Sequence, residues 1–320
     1  MSIADRIRAA CQAVAQCATR VRIREARIAD YAASLPLDQA ARPQHDPATH
    51  YLGRGGETVA FFLTLDTVNF GSGYFPHLRK RPGHSGYFTV AASLADAFRA
   101  RGPFAAEELA RLTAPDCAAL FGQEDAAEPI GELMRLFARA LNDLGRFLLE
   151  RFGGDFLRLV AAAEGSAERL AALLAEMAYF QDVEPYGAWQ VPFYKRAQLA
   201  AADLAIAFGG EGPGRFGDLD RLTIFADNLV PHVLRVDGVL AYDEGLAARI
   251  DAGELVPAGS PEEVEIRACA LHAVERMVGA LRAAGRGDVT AMGLDYVLWN
   301  RGQQPHYKAQ PRHRTRTVFY

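Results

Sequence analysis

An aspartate in an apolar stretch is the first candidate for chemistry. Asp227 closes Ile224-Phe225-Ala226-Asp227, and Leu229 and Val230 follow it. A carboxylate in such surroundings needs a partner, a wet pocket or a raised pKa, because desolvation penalises its charge. Pro231 sharpens the pattern. On a helix, Pro231 has no N–H for the Asp227 carbonyl, so the helix would kink or loosen beside the carboxylate. A capped or solvent-facing aspartate in a proline-kinked helix explains the same residues without chemistry. His232 is a substrate-binding candidate from the same segment.

Lys195 and Arg196 follow Pro192 at the head of a helical pattern. Their ammonium and guanidinium groups can give a phosphate charge-assisted hydrogen bonds, although a basic solvated turn is the plainer reading. Asp66 and Asn69 stand three apart in Thr64-Leu65-Asp66-Thr67-Val68-Asn69-Phe70. On a helix they share a face and can read the donors and acceptors of a heterocycle; on a strand they face opposite sides. Local capping or a buried polar network competes with that role. Phe70, with Tyr74 and Phe75, offers a stacking wall for a planar base or ordinary core packing. Asp203 can orient Lys195 or Gln198, or sit exposed on a helix. Glu265 and Arg267 are two apart and do not automatically pair on one helix face. Trp299, His313, Arg314 and Arg316 are candidates for a pocket edge or for tail packing.

Other chemistries lack support. Cys11, Cys17, Cys117 and Cys269 have neither CxxC spacing nor histidines at metal-site intervals, so no zinc site or disulfide is expected. There is no P-loop, and no Ser, Cys or His constellation defines a triad. With 35 basic against 39 acidic residues, the formal net charge of -4 disfavours strong nonspecific binding to nucleic acid or acidic membranes. A local basic pocket remains compatible with it. Ser2 to Arg8 is polar and charged, and no membrane-length apolar run follows, so a cytoplasmic protein is expected.

The elements that must position these groups are mainly helical, with small β elements. The 320 residues, half of them hydrophobic, suffice for a single compact enzyme unit over 1–320, or two packed helical lobes with a boundary near 125. Residues 3–33 read as one or two helices, followed by a connection near 36–50. Periodicity leaves 58–70 open between buried strand and helix. Helices are predicted over 88–100, from Pro129 to about 152, over 155–163 and 166–179, and after Pro192. The stripe Ile130, Met134, Phe137, Leu141, Leu144 and Leu148 marks a buried face. Ser260-Pro261-Glu262-Glu263 opens another helix, with Ser260 as cap and Glu263 placed to complete a capping box. Residues 314–320, RTRTVFY, read as a short terminal strand.

Several of these segments occur together, in order, in one known family. FFLTLDTVNF, VPFYKRAQLAAADL, LTIFADNLVPHVL, EVEIRACALHAVE, LDYVLWN and HRTRTVFY closely resemble the queuosine salvage protein family, from the early helices to the C-terminus. The resemblance implies a fold like that of helix-hairpin-helix DNA glycosylases. It also implies hydrolysis of queuosine 5'-monophosphate to queuine and ribose 5-phosphate. It carries the catalytic aspartate of the FAD segment onto Asp227 and the phosphate-associated lysine of YKRAQ onto Lys195. Asp66 and Asn69 match the polar positions of DTxNF, which implies recognition of the base. Asn228-Leu229-Val230-Pro231 departs modestly from relatives that carry an aromatic and a basic residue there; this alters the pocket edge without removing the carboxylate.

Breaking an N-glycosidic bond develops positive charge on the sugar and negative charge on the departing base. Asp227 can stabilise the sugar, position water or act briefly as a nucleophile. Lys195 can anchor the 5'-phosphate, and Asp66 and Asn69 can stabilise or protonate the leaving heterocycle. The expected enzyme is a monomer acting on a small nucleotide, with no cofactor, no membrane and no stable nucleic-acid partner. Two alternatives stand beside it: a nucleic-acid base glycosylase, which would need a broad basic groove, and a noncatalytic module binding a modified nucleotide or RNA.

Overall fold

The computed structural model describes residues 1–40 and 43–320. Among them the fold is predominantly α-helical. The helices of twelve residues or more are α1 (Ile3–Cys17), α2 (Gly56–Val68), α3 (Gly86–Arg101), α4 (Ile130–Phe152), α5 (Lys195–Ala207), α6 (Pro261–Ala283) and α7 (Ala291–Gly302). Strands β1 (Val21–Ile23) and β4 (Leu240–Tyr242) form one antiparallel pair. Strands β2 (Val183–Tyr186) and β3 (Trp189–Pro192) form another, a hairpin with register Val183 to Pro192 and Tyr186 to Trp189. No helix among the described residues is long and apolar enough to cross a membrane.

The chain divides into two interleaved units. The first comprises Met1–Pro43, Asp182–Lys195 and Asp218–Arg316; the second comprises Gln44–Gln181, Arg196–Gly217 and Thr317–Tyr320. Residue 125 lies inside the second, and the passage at Lys195-Arg196 falls within α5.

In the first unit α1 packs along α6, and the β1–β4 ribbon lies against the same helix. Ser2 caps α1 by accepting from the Asp5 N–H at 3.2 Å, and Ser260 caps α6 by accepting from the Glu263 N–H at 3.3 Å. The capping box expected at α6 is not completed. The Ser260 N–H donates to the Pro257 carbonyl, and Glu263 turns inward so that its Oε1 accepts from Arg267 at 3.4 Å. With the Ser260 amide already satisfied, the carboxylate pairs with the buried cation instead.

The second unit is built around α4 and α2. The predicted stripe of α4 is buried throughout, and the helix ends at Gly153, whose φ of 62° is left-handed. Gly145 on α4 admits the short helix Ala106–Leu109; a Cβ there would collide with the backbone nitrogen of Ala110. The ambiguous segment 58–70 resolves as helix α2, in which every residue from Thr58 to Val68 is buried. A helix enclosed on all sides loses the polar stripe that would betray its period, which is why alternation and periodicity could not separate helix from strand.

Two further expectations are corrected. RTRTVFY is not a strand: its part in the first unit makes an isolated parallel bridge between Arg314 and Leu255, while Tyr320 in the second accepts from the Gly71 N–H at 3.0 Å. The connection expected over 36–50 begins with a helical turn, Leu37–Ala40; Ala41 and Arg42 within it lie outside the described residues.

Candidate active site

The Asp227 segment is irregular, not a kinked helix. Residues 222–229 carry no regular structure, and a short helix, Val230–Val236, begins after them. Pro231 lies in its first turn, where its missing N–H costs nothing. Asp227 caps this turn: its Oδ1 accepts from the N–H of Leu229 at 2.8 Å and of Val230 at 3.0 Å. Its Oδ2 makes no hydrogen bond among the described residues, and the side chain is partly exposed between buried neighbours. One carboxylate oxygen is thus fixed and the other is open to a ligand or water. Nearby, burial holds the Arg312 guanidinium below its usual pKa, and Asp227 opposes that shift as a compensating charge.

Irregular backbone must find its hydrogen bonds outside itself. The Phe225 N–H donates to Asp295 Oδ1 at 2.9 Å, the Ala226 carbonyl accepts from Arg267 Nε at 2.9 Å, and Asn228 Nδ2 donates to the His313 carbonyl at 3.3 Å. Arg267, fully buried, then grips Asp182 with two parallel bonds, Nη1 to Oδ1 at 2.9 Å and Nη2 to Oδ2 at 2.6 Å. Asp182 Oδ2 also accepts from the Lys195 N–H at 3.0 Å, and the Asp182 carbonyl accepts from the Phe193 N–H at 2.9 Å. The Arg267 guanidinium lies over the Phe193 ring at 3.9 Å. The first unit therefore ties the backbones of Asp227 and Lys195 to one buried ion pair.

Lys195 opens α5, as the sequence predicts, and is buried. Tyr194 just before it has a left-handed φ of 47°, an uncommon geometry for a non-glycine residue. His232 is buried and meets the Tyr307 carbonyl at 2.9 Å through Nε2, so that nitrogen carries the proton. Burial lowers its pKa, and its Nδ1 has no hydrogen-bond partner among the described residues.

The second unit brings a different set together. Asp66 is fully buried on α2, and Asn69, the C-cap, donates to its Oδ1 at 3.4 Å. Phe70 is 1% exposed, edge-on to Phe137 at 5.1 Å, with the Arg196 guanidinium 4.9 Å from its centroid. Arg196 does not act as a solvated cation. It donates to the carbonyls of Asp66 at 2.8 Å and Thr67 at 2.6 Å, to Val318 at 2.7 Å and to Tyr179, so it caps α2 where the helix dipole favours a cation.

Asp203 on α5 is buried, and its carbonyl meets His45 Nε2 at 3.0 Å. Burial pushes the His45 imidazole down to about 4, so its 3.9 Å approach to Asp203 Oδ1 is not an ion pair at neutral pH. His50 is likewise held at about 4, chiefly by burial and then by His45. His50 Nδ1 faces the Asp46 carbonyl at 3.0 Å, which can only accept; Nε2 is then the acceptor for the Tyr87 hydroxyl at 3.0 Å. Burial raises the Tyr87 phenol well above its ordinary value, and the charges of Asp203 and Asp66 add to the shift.

Sequence reasoning did not assign Asp182, Tyr87, His45 or His50. Asp182 and Tyr87 carry no local signal. The two histidines in a connecting segment were visible, but not their shared burial with Phe62, whose ring lies 4.5 Å from His45. Among the described residues no group of three or more His, Cys, Asp or Glu side chains is arranged to hold a metal ion.

Comparison with known proteins adds to this geometry. The family model described as queuosine salvage protein matches residues 49–320. A Sphaerobacter thermophilus protein named queuosine 5'-phosphate N-glycosylase/hydrolase is 39% identical over 299 residues, covering 92% of this chain and 91% of the relative. Its namesake from Dictyostelium discoideum is 34% identical over 265 residues, covering 82% and 78% respectively. One from Nematostella vectensis is 30% identical over 294 residues, with 82% of each chain covered. The chain belongs to the queuosine salvage protein family.

Proposed function

We propose that this chain hydrolyses the N-glycosidic bond of queuosine 5'-monophosphate, releasing queuine and ribose 5-phosphate. The likeness along nine-tenths of the Sphaerobacter thermophilus relative supports the reaction. The observation that carries the mechanism is Asp227, with one oxygen tied by two N–H groups and the other open. Asp227 orients water toward the anomeric carbon and stabilises the positive charge that develops on the sugar. The water oxygen bonds to that carbon, the C–N bond breaks, and its electron pair leaves with the base. One water proton balances the base; the hydroxyl stays on the sugar. Asp66 and Asn69 meet the heterocycle, Asp203 supports that shell, and Lys195 anchors the 5'-phosphate so that remote binding energy orients the reacting bond. Phe70 and His232 also take part in substrate binding.

This reading takes the enzyme as a cytoplasmic monomer with a helix-hairpin-helix DNA-glycosylase-like arrangement, needing neither cofactor nor stable nucleic-acid partner. The test is direct detection of queuine after incubation with queuosine 5'-monophosphate, queuosine and a queuosine-containing oligonucleotide. Release from the monophosphate well ahead of the others is expected. Robust release from the oligonucleotide with none from the monophosphate overturns the assignment.

A further inference from the structure

We propose that Asp182 and Arg267 are positioning residues: their buried ion pair holds the Lys195 and Asp227 backbones as one mechanical piece and sets the distance between phosphate anchor and catalytic carboxylate. The inference rests on the reading above for the roles of Lys195 and Asp227; the clamp itself rests on geometry. Arg267 binds both oxygens of Asp182 at 2.6 and 2.9 Å and reaches the carbonyl of Ala226, the residue before Asp227, at 2.9 Å. Asp182 takes the Lys195 N–H at 3.0 Å and, through its own carbonyl, the N–H of Phe193. The Arg267 guanidinium also rests on the Phe193 ring.

Neither functional segment can hold this spacing alone. Residues 222–229 lack regular structure, and Lys195 follows a left-handed Tyr194 at the open end of a helix. A ribose 5-phosphate has a fixed reach between its phosphate and its anomeric carbon. Phosphate binding can therefore promote chemistry only if anchor and carboxylate keep a matching separation. A planar fork with a third donor directed away from it can hold Asp182 and Ala226 at once. An ammonium cannot reproduce that geometry.

The test is Arg267→Lys in the full-length protein, with Asp182→Asn as the second variant should the first fold poorly. Steady-state kinetics are measured on queuosine 5'-monophosphate and on unphosphorylated queuosine. The expected result is a kcat on the monophosphate lower by about 10–100-fold, with KM changed by less than about threefold. The kcat/KM advantage conferred by the phosphate then shrinks by about tenfold. A purely structural role would lower the active fraction, depress both substrates equally and leave that advantage unchanged, which overturns the proposal. Amide hydrogen exchange supplies a readout independent of substrate. Residues 193–195 and 224–228 should lose protection together while α1 keeps its own. Loosening of one segment alone, or of neither, overturns the clamp even if the monophosphate is not the substrate. Absence of turnover in the unaltered protein sinks the functional reading instead, and the exchange result still decides the clamp.

Discussion

The two units hold their candidate site residues by opposite means. In the first, Asp227 sits on irregular backbone kept in place by charged side chains: Arg267 on the Ala226 carbonyl, Asp295 on the Phe225 N–H and Asp182 on the Lys195 N–H. In the second, Asp66 and Asp203 stand on regular helices, and a histidine that burial keeps neutral meets the Asp203 carbonyl. Helical residues inherit their direction from the helix and need only packing to stay there. Irregular residues need a partner for each backbone group, and charged side chains are the strongest partners available. Precision in the first unit should therefore be sensitive to charge, and in the second to volume.

The largest expected effect is at Asp227. Asp227→Asn keeps an acceptor for the Leu229 and Val230 N–H groups, so the melting temperature should barely move while base release falls by about 10^2–10^3-fold. Near-normal turnover of a folded variant would remove Asp227 from the chemistry.

Next come the two buried arginines, which set the units against each other. Arg267→Met strands the carboxylates of Asp182 and Glu263 and should cost about 3–5 kcal/mol in urea unfolding. Arg196→Met strands carbonyl groups that carry no formal charge, and should cost about 1–3 kcal/mol. The reverse order would break the comparison.

Lys195→Ala should lower kcat/KM on the monophosphate by about 10–100-fold, the worth of a charge-assisted bond, and leave unphosphorylated queuosine almost unaffected. Equal losses on both substrates would show that the lysine does not read the phosphate.

The smallest effect is the pH dependence of melting, in which the raised Glu184 acts with the opposite sign to the buried histidines. Burial, and then Glu263, raise Glu184 from its ordinary 4.5 to about 7. The folded state keeps a proton there that the unfolded chain has released, so this contribution falls as pH rises from about 4.5 to 7. His45 and His50 are depressed from 6.5 to about 4. The unfolded chain takes up those protons first, so their contribution is present above 6.5 and is lost as pH falls toward 4. Glu184→Gln should flatten the melting curve only on the neutral side, by about 2 °C between pH 5 and 7.5. Flattening on the acid side instead would contradict the assignment.

Much of this protein was legible from local pattern. The buried stripe of α4, its glycine stop, the Ser260 cap and the start of α5 at Lys195 all follow from residues within a turn or two of each other. The family segments marked Asp227, Lys195, Asp66 and Asn69 as belonging together in one protein. Local pattern failed where the environment is uniform or the partner is distant. Helix α2 is enclosed on every side, so its period left no trace. The Asp227 segment looked like a kinked helix because Pro231 sits as well in a first turn as at a kink.

By itself, then, the amino-acid sequence determined the amphipathic and capped helices, the family and the residue types available for glycosidic hydrolysis. Only the tertiary structure decided how they are held. Arg267 reaches Asp182 across 85 positions and Ala226 across 41, and Arg196 reaches Asp66 across 130. No periodicity spans such separations. Glu263 and Arg196 each chose a buried partner over the surface role their neighbours suggested, because an unpaired charge or carbonyl inside the protein costs more than a solvent-exposed cap contributes.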